Sequence, residues 1–321
     1  MMDIAAIQTL THQDMQAVNA LIHKRLHSEV ALVNQVGHYI VNSGGKRLRP
    51  MLLLLSANAF GYQGTDQIDL AAVVEFIHTA TLLHDDVVDA SELRRGQQTA
   101  NHIWGNETSV LVGDFLYSRA FQMMVEVKNM RVMEIISNAT NVIAEGEVLQ
   151  LLNCHEPETS EADYLQVIRS KTAKLFEAAA QLGAVISGCQ YEEAMAAYGM
   201  HLGTAFQLID DVLDYSATAE EMGKNVGDDL AEGKPTLPLI YALKQGTLTQ
   251  QQILREAISK GGKEFITDVL ATIASTDAIG YSRRIAQKEA DMAIAALTNL
   301  PASPYTDALY GLAKFSIDRT Y

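Results

Sequence analysis

Residues 71–89 read AAVVEFIHTATLLHDDVVD, an apolar run that ends in an aspartate triad. The same pattern, Asp-Asp-x-x-Asp, returns at residues 210–214, directly after the apolar run AFQLI at residues 205–209. Residues three or four positions apart share one face of an α-helix, so the outer aspartates of each triad point the same way. Like charges at this spacing repel each other and destabilise an isolated helix. Two such triads therefore indicate that cations bind between the carboxylates.

An acidic run is most often a solvated helix face, and this interpretation has to be weighed first. The flanks of both triads argue against it, because helices that are apolar on nearly all sides are core helices. An EF-hand calcium loop is excluded, since the sequence has no Asp-x-Asp-x-Asp-Gly pattern. A few carboxylate oxygens with room for water and phosphate oxygens suit Mg²⁺. The simplest picture is two helices facing each other across a cleft, with a magnesium-bound diphosphate between them.

The composition predicts a helical protein of the cytoplasm. Of the 321 residues, 48% are hydrophobic, six are proline and two are cysteine. The net charge of −15 argues against nucleic acid as a partner, and against electrostatic attachment to anionic lipid. The two cysteines form neither a metal-ligand spacing nor a disulfide framework, which fits a reduced interior. The sequence also lacks a signal pattern and an apolar run of the roughly 18 residues that a membrane span needs.

Helical periodicity recurs along almost the whole chain, and strand alternation is hard to find. The predicted helical segments are residues 13–42, 48–60, 68–90, 108–127, 131–153, 162–188, 192–216, 236–244, 250–260 and 263–274, with two more toward the C-terminus. No linker or low-complexity tract divides them. The sequence therefore predicts a single all-α domain over residues 1–321, with ten or more helices.

Three further segments supply the cations that a bound diphosphate needs. Residues 44–50 read GGKRLRP, and residues 94–96 read RRG directly after the first triad. A Gly-rich segment at residues 223–236 contains Lys224 and Lys234. Arginine offers a planar fork for phosphate and lysine a point charge. One short basic cluster is more often a surface patch, so it is the arrangement of three around two triads that indicates a diphosphate site.

Helix phase places further side chains on the faces of the triads. His78 shares a face with Asp85 and Asp89, and Gln207 shares one with Asp210. A histidine at this place either hydrogen-bonds a diphosphate oxygen or is an ordinary core residue, and the sequence leaves both open.

Lys171 and Thr172 combine a cation with a hydroxyl where a long helical stretch begins. This pair suits a phosphate group. Threonine near a helix start is equally a helix cap, so this alternative also stays open.

The residues described so far resemble the trans-isoprenyl diphosphate synthase family. The matching segments are residues 44–50, 82–96, 110–124, 170–180, 206–214 and 223–238. The resemblance implies the all-α isoprenoid synthase bundle around a central active-site cavity, as a homodimer. It also implies a Mg²⁺-dependent prenyltransferase with two to three ions in each active site.

The resemblance assigns the candidate residues to two pockets. Those expected to hold the diphosphate of isopentenyl diphosphate are Lys46, Arg49, His78 and Arg95. Those expected to coordinate Mg²⁺ on the allylic diphosphate are Asp85, Asp89 and Asp210. Those expected to contact the same leaving group are Arg94, Lys171, Thr172, Gln207, Lys224 and Lys234. The expected catalytic set consists of Asp85, Asp86, Asp89, Asp210, Asp211, Asp214, Lys171 and Lys224.

The implied reaction is successive head-to-tail condensation of isopentenyl diphosphate onto an allylic diphosphate such as farnesyl diphosphate. Ionising the allylic C–O bond requires that the developing charge on diphosphate be neutralised, which metal ions and fixed cations do. Released diphosphate is the expected proton acceptor, because the sequence shows no obvious side-chain base. By resemblance, the product supplies a quinone side chain, ubiquinone included, and its release involves transient membrane contact.

Product length is expected to depend on residues below the first triad. In short-product relatives, bulky aromatics at the positions of Ala80 and Thr81 close the tunnel, so small residues imply a long product. Met123, with Phe121 and Met124 nearby, is a candidate floor, although methionine at helical spacing is usually plain core. We expect an octaprenyl chain, with heptaprenyl and nonaprenyl chains as alternatives.

Three rival functions agree less well with the sequence. A metal-dependent phosphohydrolase would use His84 with Asp85, but it would leave the second triad idle. A non-catalytic regulatory subunit would have lost triad aspartates, and this chain keeps all of them. A terpene cyclase has no need for a second diphosphate pocket at Lys46, Arg49 and Arg95.

Overall fold

The structure of the protein is a computed structural model that describes residues 2–216 and 227–319. Within these ranges the regular secondary structure is helical apart from one antiparallel pair of short strands, β1 (Leu93–Arg94) and β2 (Gln97–Gln98). The helices up to residue 153 are α1 (Ile4–Leu10), α2 (His12–Arg25), α3 (Ala31–Asn42), α4 (Leu48–Ala59), α5 (Asp66–Val88), α6 (Ala100–Trp104), α7 (Asn106–Glu126) and α8 (Met130–Asn153). Those that follow are α9 (Glu161–Ile168), a π-helix (Arg169–Ala173), α10 (Lys174–Ile186), α11 (Glu192–Ser216), α12 (Asp228–Ala231), α13 (Leu237–Gln245), α14 (Leu248–Lys260), a 3₁₀-helix (Lys263–Phe265), α15 (Ile266–Ser275), α16 (Ala278–Ala296) and α17 (Pro304–Asp318). The predicted all-α class is confirmed.

The segment predicted as one helix over residues 13–42 is two helices, α2 and α3. Side chains satisfy the backbone of the intervening turn: the amide of Ser28 donates to Oδ1 of Asn34 at 2.9 Å. The Nδ2 atom of Asn34 in turn donates to the carbonyl of Ser28 at 2.7 Å. Local bonds of this kind compete with helical ones, and periodicity alone does not detect them.

The chain forms two compact units. The first consists of Met1–Thr140, Leu175–Gly199 and Ala296–Leu312, and the second of Asn141–Lys174, Met200–Ala295 and Ala313–Tyr321. The single domain over residues 1–321 stays a prediction.

In the first unit, α5 is the central helix and packs against α2, α4 and α7. The leucines Leu52–Leu55 of α4 are fully buried, as is Phe76 of α5. Near the first triad, the hydroxyl of Ser109 on α7 donates to the carbonyl of Leu83 at 2.9 Å. This bond and the surrounding apolar packing fix the end of α5, so the triad that follows starts from a rigid base.

The strands β1 and β2 form a tight hairpin whose two turn residues are Arg95 and Gly96. Both have positive φ, +52° and +73°, as a type I′ turn requires. Tyr39 on α3 donates its hydroxyl to the carbonyl of Gln98 at 2.6 Å, and Thr99 closes the base of the hairpin through the carbonyl of Ser91. Sequence periodicity missed this hairpin because its strands are too short to show alternation.

In the second unit, α9 leads into the π-helix without a break. Tyr164 and Ile168 of α9 share an apolar cluster with Leu208, Ile209 and Leu213 of α11. This packing joins the helix that leads into the π-helix to the one that carries the second triad.

Candidate active site

A cluster of cations surrounds His78 in the first unit. Arg49, in the first turn of α4, has Nη1 at 3.2 Å from Nε2 of His78. Its guanidinium carbon lies 4.4 Å from the centroid of the Phe176 ring. Stacking on an aromatic face orients the planar fork of an arginine without neutralising its charge. The structure therefore brings Arg49 and His78 together, as the resemblance implied, and Lys46 precedes the same turn of α4.

Arg95 joins this cluster from the hairpin turn. Its Nη1 atom donates to the carbonyl of Gly44. A Cβ atom at Gly45, where φ is +133°, would lie 2.7 Å from the same nitrogen. A glycine at this position thus leaves room for the guanidinium and permits the positive φ.

Glu75 and Arg47 belong to the same cluster but were not among the predicted site residues. Glu75 is 7% exposed and forms an ion pair with Arg47, which also donates to the carbonyl of Val41 at 2.7 Å. Burial raises the pKa of Glu75, and the neighbouring arginines oppose this. A sequence signal was present, because a glutamate inside an apolar helix needs a cationic partner.

Electrostatics keep His78 neutral. Burial lowers its pKa well below the ordinary value, and the charges of Arg49 and Arg95 lower it further. A neutral imidazole keeps one donor and one acceptor. The ring contacts the cation of Arg49, and binding of a diphosphate oxygen by His78 stays a prediction.

The three carboxylates of the first triad have different surroundings. Asp86 is fully buried, and its Oδ1 accepts from Nε of Arg94 at 2.7 Å. Burial raises the pKa of Asp86, whereas the Arg94 guanidinium lowers it. Asp85 and Asp89 are half-buried at the end of α5, where Asp89 is the C-cap. Arg94, a predicted contact of the allylic diphosphate, is thus bound to the middle aspartate.

His84 faces α7 rather than the predicted metal site. Its Nε2 lies 3.2 Å from the carbonyl of Val110 and 3.4 Å from a carboxylate oxygen of Asp114. The helix gives it room at Gly113, where any Cβ would collide with the imidazole. The His84–Asp85 metal pair of a phosphohydrolase has no support in this geometry.

In the second triad, Asp211 is buried and enclosed by uncharged donors. Its Oδ2 accepts from the hydroxyl of Tyr164 at 2.5 Å, and its Oδ1 accepts from Nε2 of Gln207 at 2.8 Å. Gln207 accepts in turn from the hydroxyl of Thr172 at 3.1 Å. Burial raises the pKa of Asp211 well above its ordinary value, and the charge of Asp229 adds to the effect.

The outer residues of the second triad differ from each other. Asp214 is fully buried and its Oδ2 accepts from the amide of Asp229 at 3.3 Å. Asp210 is half-buried, and its Oδ1 accepts from Nη1 of Arg319 at 2.6 Å. Arg319 is itself buried and stacks 3.7 Å from the centroid of Phe206. No local pattern marks Arg319, which meets Asp210 through tertiary structure alone.

Lys171 and Thr172 lie in the π-helix, not at a helix start, so Thr172 is not a cap. Such single π-turns are rare and frequently occur at functional sites. Lys171 pairs with Glu147 of α8 at 2.7 Å. On α8, Glu147 follows Gly146. A Cβ atom at Gly146 would lie 2.8 Å from the amide nitrogen of Lys171, so the glycine permits α8 to approach the π-helix closely.

A cavity of about 130 Å³ opens beside these residues in the second unit. Its lining includes Lys171, Thr172, Gln207, Asp211 and Lys234, together with Gln150, Asn153, Thr159, Tyr164, Val167, Ile168, Asp229, Pro235 and Thr236. Lys234 forms an ion pair with Glu232 at 2.5 Å. Four of the predicted allylic contacts therefore line one cavity. Lys224, a fifth, lies outside the described residues.

The carboxylates of Asp85, Asp89 and Asp210 are donors of the kind that Mg²⁺ prefers. Asp85 and Asp89 belong to the first unit and Asp210 to the second. Mg²⁺ is usually held by one or two protein carboxylates, with waters and substrate phosphates completing its shell. Within the described ranges, no three His, Cys, Asp or Glu side chains converge into a metal-binding group.

The predicted chain-length residues all lie in the first unit. Ala80 is fully buried on α5, and Met123 is 1% exposed on α7, the helix that packs against it. Thr81 is half-buried and donates its hydroxyl to the carbonyl of His78 at 2.8 Å. Their part in product length stays a prediction.

Known proteins resemble this chain over nearly its whole length. The family described as polyprenyl synthetase matches residues 30–273. Octaprenyl diphosphate synthase of Escherichia coli K12 is 54% identical over 321 residues, which cover 99% of each chain. A polyprenyl synthase from Caulobacter crescentus CB15, crystallised with calcium and isoprenyl diphosphate, superimposes with a TM-score of 0.96 at 44% identity and covers 99% of this chain and 98% of its own. A decaprenyl diphosphate synthase from Rhodobacter capsulatus gives a TM-score of 0.93 at 45% identity over 99% of each chain.

The chain belongs to the polyprenyl synthetase family. The expected prenyltransferase class and isoprenoid synthase fold are confirmed. Full-length identity to octaprenyl diphosphate synthases supports a long-chain trans-polyprenyl diphosphate synthase, and the phosphohydrolase alternative is not favoured.

No helix within residues 2–216 and 227–319 combines the length and the apolar character that crossing a membrane requires.

Proposed function

We propose that the protein synthesises octaprenyl diphosphate by successive condensation of isopentenyl diphosphate onto an allylic diphosphate such as farnesyl diphosphate. The observation that carries the proposal is that each unit holds its own set of cations beside an aspartate triad. Two diphosphate substrates require two such sets, whereas a cyclase or hydrolase requires one. The identity of 54% with the Escherichia coli enzyme supports the octaprenyl product over heptaprenyl and nonaprenyl products.

Lys46, Arg49, His78 and Arg95 bind the diphosphate of isopentenyl diphosphate in this proposal. Arginine forks form charge-assisted bonds to phosphate oxygens. The neutral His78 adds a donor without adding charge, which agrees with its lowered pKa. Glu75 holds Arg47 in place, so the loop that carries Lys46 keeps one conformation.

Asp85, Asp89 and Asp210 hold Mg²⁺ on the allylic diphosphate, with two to three ions in each active site. When bound, the metal withdraws charge from the diphosphate oxygens and makes diphosphate a better leaving group. The calcium and isoprenyl diphosphate in the Caulobacter crescentus relative support a divalent cation in this role.

The leaving group is also contacted by side chains that carry charge or donate hydrogen bonds. The proposed contacts are Arg94, Lys171, Thr172, Gln207, Lys224 and Lys234. The buried carboxylates act through other side chains and do not contact the diphosphate themselves. Asp86 binds Arg94, and Asp211 binds Gln207. Asp214 is the third buried carboxylate of this kind.

The reaction follows from these positions. The allylic C–O bond breaks and its electron pair leaves with the diphosphate, whose growing charge the fixed cations stabilise. The double bond of isopentenyl diphosphate then attacks the allylic cation and forms the new C–C bond. A proton is lost from the adduct to the released diphosphate, and the new double bond makes the product allylic again.

Ala80, Thr81 and Met123 control product length in this proposal, with small residues on α5 leaving room for growth and Met123 as a floor. A homodimer, a cytoplasmic location, product release by transient membrane contact and use in ubiquinone remain predictions from the resemblance.

The test is incubation of the protein with farnesyl diphosphate, excess labelled isopentenyl diphosphate and Mg²⁺, with product length read by mass spectrometry. A single end product of octaprenyl length is expected. Release of phosphate or of a cyclic hydrocarbon without elongation would refute the proposal, and a sharp heptaprenyl or nonaprenyl end point would correct the length alone.

A further inference from the structure

A buried carboxylate outside the predicted site lies behind the π-helix. Glu289 of α16 is 5% exposed. Its Oε1 accepts from Nη2 of Arg169 at 3.0 Å, and its Oε2 accepts from Nδ1 of His201 at 2.6 Å. All three residues belong to the second unit.

The partners of Glu289 are on the two segments that carry the proposed allylic contacts. Arg169 is the first residue of the π-helix, which also contains Lys171 and Thr172. His201 is on α11, the helix of Gln207 and Asp210. The carboxylate of Glu289 therefore links both the π-helix and α11 to α16.

The charge state of the group fits this arrangement. Burial raises the pKa of Glu289, but its bonds to His201 and Arg169 outweigh this and leave the pKa below its ordinary value. A carboxylate can only accept, so both oxygens hold their donors in a fixed direction. A buried charge is not the most stabilising solution for a helix contact, since apolar packing often does as well. The buried charge therefore indicates that the positions of the π-helix and α11 have to be fixed.

The π-helix is a segment whose position depends on its contacts with other helices. A π-turn within a helical stretch is rare and is frequently found at functional sites. Here it is held at Thr172 by Gln207, at Lys171 by Glu147 and at Arg169 by Glu289. Lys171, Thr172 and Gln207 are proposed to contact the allylic diphosphate, whereas Glu289 lies outside the proposed site.

We propose that Glu289 is a positioning residue, which sets the π-helix relative to α11 so that Lys171, Thr172 and Gln207 meet the allylic diphosphate together. This inference rests on the proposed function and extends it to a residue that contacts neither substrate. Loss of the tie weakens binding of the allylic substrate and leaves the isopentenyl diphosphate pocket unchanged, because that pocket belongs to the other unit.

The test compares Glu289→Gln with the wild type in steady-state elongation, varying each substrate in turn. The glutamine keeps the size of the side chain and removes its charge. We expect KM for farnesyl diphosphate to rise about five- to tenfold, with KM for isopentenyl diphosphate within about twofold. The control is Glu158→Gln, which breaks an exposed ion pair with Arg255 in the same unit and leaves both KM values unchanged.

A second variant covers the case in which Glu289→Gln does not fold. Arg169→Gln removes a partner whose side chain is 43% exposed, so the fold tolerates it, and it is expected to raise the same KM. If both variants fold, the double variant is expected to be no worse than the more affected single one, because both break the same tie.

The outcomes separate the two proposals. If the wild type does not elongate farnesyl diphosphate, the proposed function fails. If the wild type elongates it and the variants change only the melting temperature, or raise both KM values equally, Glu289 is a structural residue and the positioning role is wrong.

Discussion

The two triads share one sequence pattern, yet the structure treats their carboxylates differently. In residues 85–89 the middle aspartate is buried and the outer two are half-buried. In residues 210–214 the first is half-buried and the other two are buried. The buried Asp86 is balanced by a guanidinium, whereas the buried Asp211 is enclosed by a phenol and an amide. A repeated motif therefore does not imply repeated roles, because each carboxylate takes its role from the partner that the fold supplies.

The largest expected effect is the loss of elongation when a proposed metal ligand is removed from either triad. Asp85→Ala, Asp89→Ala and Asp210→Ala are each expected to lower elongation by at least about 10²- to 10³-fold, because each removes a proposed metal ligand. Circular dichroism and the melting temperature should stay close to those of the wild type. Asp291→Ala, on an exposed part of α16, is the matched control. Near-normal turnover of any of the three would remove that residue from the metal site.

The middle aspartates show how the triads differ. Asp86→Asn leaves the guanidinium of Arg94 beside an uncharged group and is expected to lower the free energy of unfolding by about 3 kcal/mol. Asp211→Asn should cost about 1 kcal/mol, since an amide oxygen still accepts from Tyr164. Urea titration measures both values. Equal losses would mean that the two buried carboxylates are equivalent after all.

The two cation clusters are proposed to bind different substrates, so their variants should affect different KM values. Arg95→Ala is expected to raise KM for isopentenyl diphosphate about 10- to 100-fold, because a charge-assisted bond to phosphate is lost. KM for farnesyl diphosphate should change by less than about twofold. Arg284→Ala on α16, whose side chain is 62% exposed, controls for loss of a surface arginine. The opposite pattern, with the allylic substrate alone affected, would show that the two pockets are assigned the wrong way round.

Residues below the first triad are also expected to set product length, and no such residues are expected beside the second triad. Ala80→Tyr or Thr81→Tyr should shorten the product, since a phenol fills the space below Asp85. Thr81→Ser keeps the hydroxyl that bonds the His78 carbonyl and should leave the length unchanged. Mass spectrometry of the products decides, and an unaltered end point in both tyrosine variants would exclude a tunnel at this place.

The smallest effect is on stability as a function of pH. The pKa of His78 lies well below its ordinary value of 6.5 in the folded state. Below about pH 6.5 the unfolded state binds a proton that the folded state does not, so stability falls as the pH falls. The slope contributed by this group is at most about 1.4 kcal/mol per pH unit. His78→Gln should flatten the curve of unfolding free energy between pH 6.5 and 5, and an unchanged slope would show that His78 is charged in the fold.

Much of the fold was accessible from periodicity because most helices are long and strongly patterned. The bounds predicted for α4 and α11 agree closely with the observed ones. The break between α2 and α3 and the hairpin at Arg94 and Arg95 were missed, since both depend on local side-chain bonds and turn geometry. For the site, the sequence alone predicted the triads and the basic segments. It did not lead to a prediction for Glu75, although a glutamate inside an apolar helix indicates a buried cationic partner.

The sequence by itself determined the all-α class, the two triads, the cations that accompany them and the family resemblance, because these depend on residue types at short spacing. Tertiary structure alone decided which carboxylates are buried and what balances them. Arg319 reaches Asp210 across 109 residues of chain, and Arg169 reaches Glu289 across 120. No local pattern records such pairs, since the free energy that selects them comes from burying charge, and burial is decided when distant helices pack.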